Sequence, residues 1–211
     1  DGRPYEMKGT GTHGVRYAYG VDSGSSAEST VTTPLDANGY PVSTAAVPQY
    51  KDFAGRPWKT VGPSPSGSGM VTTQNYYNTK GQLVKVTKTG EPDVLYTYDD
   101  LGRQTAAGQD INADGSLTGS GGTDRLTQTS YSVASYSPPG GNATVVNEVT
   151  TTQWVTSSTS LNITSNTAVD GSGAWVTNDG LFTATTVAVD AVNATVTQTV
   201  VNPDNTKDVT V

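Results

Sequence analysis

The 211-residue chain contains no cysteine and a single histidine, His13. Disulfide bonds and thiolate metal sites are therefore excluded, and we expect sheet hydrogen bonding and packing to hold the fold. A nucleophile–histidine–acid triad could be built only around His13, and no G-x-S-x-G sequence accompanies it. The sequence therefore predicts no catalytic residues and a protein that is not an enzyme.

Basic surfaces and long apolar runs are also missing. The net charge is −7 and the isoelectric point is about 4.5, and Lys and Arg are scattered along the chain. An acidic chain without a basic stripe repels nucleic acid, so we expect no nucleic-acid partner. No run of 18 apolar residues is present, which predicts that no segment spans a membrane.

The residues that are abundant favour short strands and turns. Thr, Val and Tyr suit a pleated sheet, and the 24 Gly and 11 Pro supply turns. Alternating runs at residues 82–88, 94–98 and 143–151 predict strands, and we expect a turn at residues 89–93 between the first two. The predicted fold class is all-β, with less than roughly a tenth of the residues in helix.

Three segments of the chain are similar to one another. Each has an aromatic residue, a polar turn, a glycine and a polar residue that leads into a strand: residues 50–57, 77–83 and 98–104. Asp or Asn followed by a glycine with positive φ closes such a turn. We therefore predict that Gly55, Gly81 and Gly102 lie at turns between antiparallel strands, and that Tyr77 and Tyr98 are equivalent.

These segments resemble the YD-repeat (Rhs-type) family, whose unit reads tyrosine, aspartate, two variable residues, glycine and arginine. Residues 98–103 match the tyrosine-to-arginine part fully. Residues 50–56 match with one extra residue, and residues 77–82 match with Asn78 for Asp and Gln82 for Arg. The resemblance is specific over residues 50–117, with weaker relatives at residues 1–4, 36–41 and 202–206.

The resemblance implies antiparallel hairpin repeats that form an extended sheet, a β-solenoid or a segment of a shell. Similar repeats build toxin-complex cocoon proteins and the shells of teneurins. By resemblance, this chain is expected to be a piece of a larger secreted or cell-surface bacterial protein. Its expected partners are neighbouring repeats or copies of itself through the sheet edges, and an enclosed toxin domain or a surface glycan.

The repeat character changes along the chain. Residues 1–139 form a YD-repeat-like β region, and residues 140–211 form a Thr- and Val-rich β region without the tyrosine–aspartate motif. The second region is either a set of degenerate repeats or a separate small β domain. The Pro- and Gly-rich residues 137–141 mark a candidate boundary.

One segment carries the spacing of a calcium loop. Asp110, Asn112, Asp114 and Ser116 place oxygen atoms at alternate positions, as in the first half of an EF-hand loop. Gly121 stands where a bidentate Glu belongs, unless Asp124 or a distant carboxylate replaces it. The two interpretations are a weak calcium site, the only cofactor that the sequence suggests, and an Asx-rich turn between strands.

Two functions remain open from the sequence. The first is a structural repeat segment that builds a shell, stalk or filament. The second is an adhesin or carbohydrate-binding β module, which would present Trp58, Trp154, Trp175 and the tyrosines to a sugar. An exposed coplanar row of these rings would favour the binding module, whereas packing of the rings within the protein would favour the structural segment.

Overall fold

The chain is all-β, as predicted. The computed structural model describes residues 2–9, 12–67 and 69–211, and the side chain of His13 lies outside this description. Within these ranges sixteen strands form one antiparallel sheet, in which every strand pairs with its neighbours in chain order. Within the described ranges the one helical element is a 3-10 turn, Ser43–Ala45. The expectation of little helix is confirmed.

Two compact units divide the chain, Asp1–Leu95 and Tyr96–Val211, and the division falls inside β8. The strands of the first unit, with β8, are β1 Glu6–Gly9, β2 Thr12–Val21, β3 Glu28–Pro34, β4 Val47–Lys51, β5 Pro57–Pro63, β6 Met70–Tyr77, β7 Leu83–Lys88 and β8 Glu91–Tyr98. Those of the second unit are β9 Gln104–Asp110, β10 Arg125–Tyr136, β11 Thr144–Trp154, β12 Ser160–Ala168, β13 Gly173–Asn178, β14 Leu181–Asp190, β15 Thr195–Val201 and β16 Lys207–Thr210.

The connection between β7 and β8 is shorter than the sequence predicted. Lys88 pairs with Glu91, so only Thr89 and Gly90 lie between the strands, and Pro92 is inside β8. The ladder shifts register between Val86 and Lys88. A proline has no N–H to donate, so it is accommodated in a strand at such an irregularity.

The first unit has a small apolar core. Ala27, Leu35 and Leu95 are its buried hydrophobic residues within the described ranges. Gly14 lies against Leu35, where an added Cβ would come within 2.9 Å of the Leu35 Cδ1 atom. With so few buried side chains, this unit depends on its ladders and on pairs of side chains across neighbouring strands.

The core of the second unit shows that its sheet is curved. Tyr136 lies at the end of β10 and Trp175 in β13, three strand steps away, which is about 14 Å in a flat sheet. Their ring centroids are nevertheless 5.5 Å apart. The side chains on this face therefore converge, and we call it the concave face. Trp175 packs there in a cluster with Val146, Ala168 and Ala184.

The turn between β10 and β11 contains the Pro- and Gly-rich segment at residues 137–141. It is closed by a hydrogen bond from the Gly141 N–H to the Pro138 carbonyl, and it lies within the second unit. In the part of the chain that the structure covers, no helix is both long and apolar enough to cross a membrane.

Candidate functional site

A five-residue turn recurs at the ends of strands and begins at Asp36, Asp52, Asn78 and Asp99. In each copy the first residue donates its backbone N–H to the carbonyl of the fifth residue, over 2.8–3.0 Å. The fourth residue, a glycine, donates its N–H to the carbonyl of the first over 2.9–3.0 Å. These glycines have φ between 76° and 84°. The predicted turns at Gly55, Gly81 and Gly102 are confirmed.

The side chain of the first residue closes the turn a second time. Its Oδ1 atom accepts the N–H of the fifth residue over 2.8–2.9 Å in all four copies. Aspartate and asparagine both carry this acceptor, which explains why Asn78 replaces Asp. A degenerate copy at Asn202 keeps the two backbone hydrogen bonds and has Asn205, at φ 65°, in the glycine position.

In the copies that begin at Asp52, Asn78 and Asp99, the first and fifth side chains of the turn are hydrogen-bonded to each other. Arg56 donates from Nε to Asp52 Oδ2 over 2.7 Å, and Arg103 does the same to Asp99. In the third turn the pair is uncharged: Asn78 donates from Nδ2 to Gln82 Oε1 over 2.8 Å. Asp–Arg and Asn–Gln are therefore two versions of one contact, and the two departures from the repeat pattern in that turn compensate each other.

The arginine also stacks on a tyrosine of the next strand. The Arg56 guanidinium carbon lies 4.2 Å from the centroid of the Tyr77 ring, and Arg103 lies 4.2 Å from Tyr131. The tyrosine hydroxyl then donates to the carbonyl of the residue after the arginine, over 2.7 Å to Pro57 and 3.3 Å to Gln104. Each tyrosine is thereby held both by its ring face and by its hydroxyl.

A third copy of this arrangement lies at the start of the chain. Arg3 is 4.4 Å from the centroid of the Tyr19 ring, and the Tyr19 hydroxyl donates to the Pro4 carbonyl over 2.9 Å. Gly2, before Arg3, has φ 76°. The expected repeat tail at residues 1–4 therefore makes the same contacts as the two clear units, and we call the three copies the arginine–tyrosine clamps.

Strand register places each pair of clamp residues opposite each other. Glu6 pairs with Arg16 in the β1–β2 ladder. If this antiparallel pairing is continued by three residues toward the N-terminus of β1, Arg3 lies opposite Tyr19. The same extension of the β5–β6 and β9–β10 ladders aligns the other two pairs. The tyrosine follows its arginine by 16, 21 and 28 residues. Because the spacing varies, no sequence period reveals the clamp.

The predicted equivalence of Tyr77 and Tyr98 is confirmed, since each immediately precedes the first residue of a turn. Tyr50 is different. The ladder shifts register between Tyr50 and Lys51, and the β6–β7 ladder shifts in the same way between Tyr76 and Tyr77. Lys51 therefore occupies the strand position of Tyr77, and the extra residue of this unit lies before the turn.

Hydrogen bonds hold several turn carboxylates below their ordinary pKa. For Asp52, the hydrogen bond from the Arg56 side chain lowers the pKa most, and burial opposes it. For Asp99, burial raises the pKa, but the hydrogen bonds and charge of Arg103 and the Leu101 N–H together lower the pKa by more. The pKa is lowered in the same direction at six further carboxylates: Glu6, Asp22, Asp114, Asp170, Asp190 and Asp204.

We expect acid to destabilise the protein through these groups. A carboxylate whose pKa is lowered by folding stabilises the fold fully above its unfolded-state pKa of about 4, and this stabilisation disappears as the pH falls through the folded-state pKa. The thermal unfolding temperature should therefore drop between about pH 5 and pH 2. The double variant Asp52→Asn/Asp99→Asn, in which asparagine keeps the acceptor as Asn78 does, should show a flatter pH dependence. If the pH dependence of the unfolding temperature is unchanged in this variant, Asp52 and Asp99 are not the source of the acid destabilisation.

The candidate calcium loop uses its oxygen atoms internally. Asp110 is buried, and its two carboxylate oxygens accept the N–H groups of Asp114 over 3.1 Å and Gly115 over 2.8 Å. Asn112 donates to Asp114 Oδ2 over 2.8 Å, and the Ser116 hydroxyl donates to Asp114 Oδ1 over 2.7 Å. The four predicted ligands thus lie together, joined by hydrogen bonds of the Asx-turn kind.

Asp124 closes this loop from the other side. Its carboxylate is buried and accepts the N–H of Ile111 over 2.8 Å and that of Thr118 over 2.9 Å. In the residues that are described, no three His, Cys, Asp or Glu side chains group closely enough to hold a metal ion. Calcium binding at this loop stays a prediction of the sequence. The sequence named Asp124 as a substitute ligand for the loop but did not predict that it accepts two backbone N–H groups and so closes the loop.

The tryptophans make packing contacts. Trp175 is only 5% exposed. Trp58 is half-buried and meets Tyr50 edge-on at 6.1 Å, and Trp154 is half-buried and donates from Nε1 to Gln128 over 2.8 Å. These rings do not form the exposed coplanar row that a sugar-binding surface requires.

The chain is an all-β protein built on one antiparallel sheet. No protein-family model matches it, and the comparison with curated proteins finds no match.

Proposed function

We propose that the chain is a structural repeat segment of a large secreted or cell-surface bacterial protein, in which it builds part of a shell, stalk or filament. The recurrence of one turn with one arginine–tyrosine clamp carries this proposal. The clamp contacts join neighbouring strands, and the turns at residues 50–56 and 98–103 carry the sequence that resembles the YD-repeat unit.

The proposal is also supported by the way in which the strands are paired. Each strand pairs only with its neighbours in chain order, so the sheet grows by addition of hairpins, as in repeat proteins whose units contact only the adjacent unit. β1 and β16 each have one partner strand, and all four residues of β16 are exposed. Such edges are surfaces on which further strands can pair.

The way in which the polar groups are used supports a non-catalytic role. Asp52 and Asp99 are bound to arginines of their own turns, and Asp110 and Asp124 accept backbone N–H groups. None of these carboxylates is available as an acid or base without breaking a turn. The binding-module alternative is less well supported, because Trp175 is buried in the concave-face cluster.

The test combines assembly and activity. We expect light scattering after size exclusion to show concentration-dependent association through the sheet edges. Val209→Lys, which puts a charge on edge strand β16, should reduce this association, whereas Val133→Lys, on an exposed site of the interior strand β10, should not. A strictly monomeric chain at high concentration would contradict edge assembly. Hydrolysis of a polysaccharide or peptide panel that one carboxylate substitution abolishes would overturn the non-enzymatic proposal.

A further inference from the structure

A cavity of about 530 Å³ opens over the concave face of the second unit. Trp175, Phe182 and Val201 provide an apolar floor, and the turn at residues 138–141 forms a wall. This volume lies in the range of about 300–1,000 Å³ that is typical of sites for small molecules. Its aromatic lining offers flat apolar surface to a planar ligand.

The charge at this cavity is opposite to that of the unit around it. The second unit has eleven Asp and Glu against three Lys and Arg, a net charge of −8. The one charged residue that lines the cavity is nevertheless a cation, Lys207. Arg103 is paired with Asp99, but Lys207 forms no ion pair with any residue that the structure describes. An unpaired ammonium beside an apolar cavity favours an anionic ligand.

We propose that this cavity binds a small aromatic carboxylate, with its ring against the half-buried Phe182 ring and its carboxylate at Lys207. Thr186 and Asn205 also line the cavity and supply hydrogen-bonding groups. An aromatic acid suits the site because the floor is aromatic and apolar while the only charge is positive. The proposal does not rest on the structural role of the sheet.

The experiment uses two ligands of nearly the same shape, one charged and one neutral: 1-naphthylacetate and its amide are titrated calorimetrically into the whole chain. We expect both to bind with a stoichiometry of one, and the acid to bind about tenfold more tightly because only the acid meets the Lys207 ammonium. Lys207→Gln should weaken the acid about tenfold, to the level of the amide, and leave the amide unchanged.

Two further variants make the result specific. Arg125→Gln removes a cation that lines a different cavity, beside Trp154, and should change neither affinity. Phe182→Leu removes the ring from the floor and should weaken both ligands to the same extent, with unchanged circular dichroism as the check on folding. The absence of saturable binding, or an affinity for the acid that survives Lys207→Gln, would overturn the proposal.

Discussion

Trp175→Ala is expected to lower the free energy of unfolding of the second unit by about 3–5 kcal/mol, the cost of truncating a buried aromatic residue to alanine. Trp175 is the one large side chain in a cluster whose other buried members are Val146, Ala168 and Ala184. The small neighbours cannot move in to fill the space, because their backbones are held in the strand ladders. Urea unfolding followed by circular dichroism measures the loss.

Phe53→Ala is the matched control for this substitution. The Phe53 ring is 90% exposed in the turn that begins at Asp52, so its removal should change stability by less than about 0.5 kcal/mol. A loss below about 1 kcal/mol in Trp175→Ala would show that the concave-face cluster does not hold the unit together.

Asp124→Ala is expected to cost about 2–6 kcal/mol of unfolding free energy, because it leaves two backbone donors without partners at about 1–3 kcal/mol each. The Ile111 and Thr118 N–H groups that it releases lie outside the strands, so no ladder can accept them. The stability of Asp124→Asn should lie between those of the unsubstituted protein and Asp124→Ala. The amide keeps one acceptor oxygen and replaces the other by a donor.

The control for this loop is Asp114→Ala. Asp114 is exposed, and the N–H and hydroxyl of Ser116 that it accepts can bind water instead. Its removal should therefore cost much less than the loss of Asp124. Measurements with a chelator present separate this structural effect from any calcium effect. Equal losses in the two alanine variants would contradict the role assigned to Asp124.

The turns show how far local sequence reasoning reaches. Asp or Asn, two residues, and then a glycine able to adopt positive φ determine a turn by contacts within five residues, so Gly55, Gly81 and Gly102 were correctly predicted. The same reasoning placed the β7–β8 turn too broadly, at residues 89–93. Pro92 reads as a turn residue in sequence, but a ladder irregularity opposite it accommodates it within β8.

The partners in the arginine–tyrosine clamps could not be predicted from local sequence. The Arg103–Tyr131 contact spans 28 residues, and the intervening loop is closed by Asp124 rather than by a repeat turn. Which tyrosine meets which arginine depends on the register between strands, and register depends on the whole ladder. The Asn78–Gln82 pair, in contrast, was visible in the sequence as two departures from one pattern, but only the hydrogen bond between them explains why they occur together.

The sequence by itself determined the all-β class, the positions of the repeated turns and the grouping of the loop oxygens at Asp110, Asn112 and Asp114, because each depends on residues close together in the chain. The tertiary structure alone decided that the second unit curves around Trp175, that Asp124 closes the loop and that Lys207 stands beside an apolar cavity. The contacts around Trp175 and the cavity at Lys207 bring together residues from strands far apart in the sequence, and strand pairing and sheet curvature set such contacts. Asp124 joins loop residues 6 and 13 positions away, and no local pattern assigns their N–H groups to it.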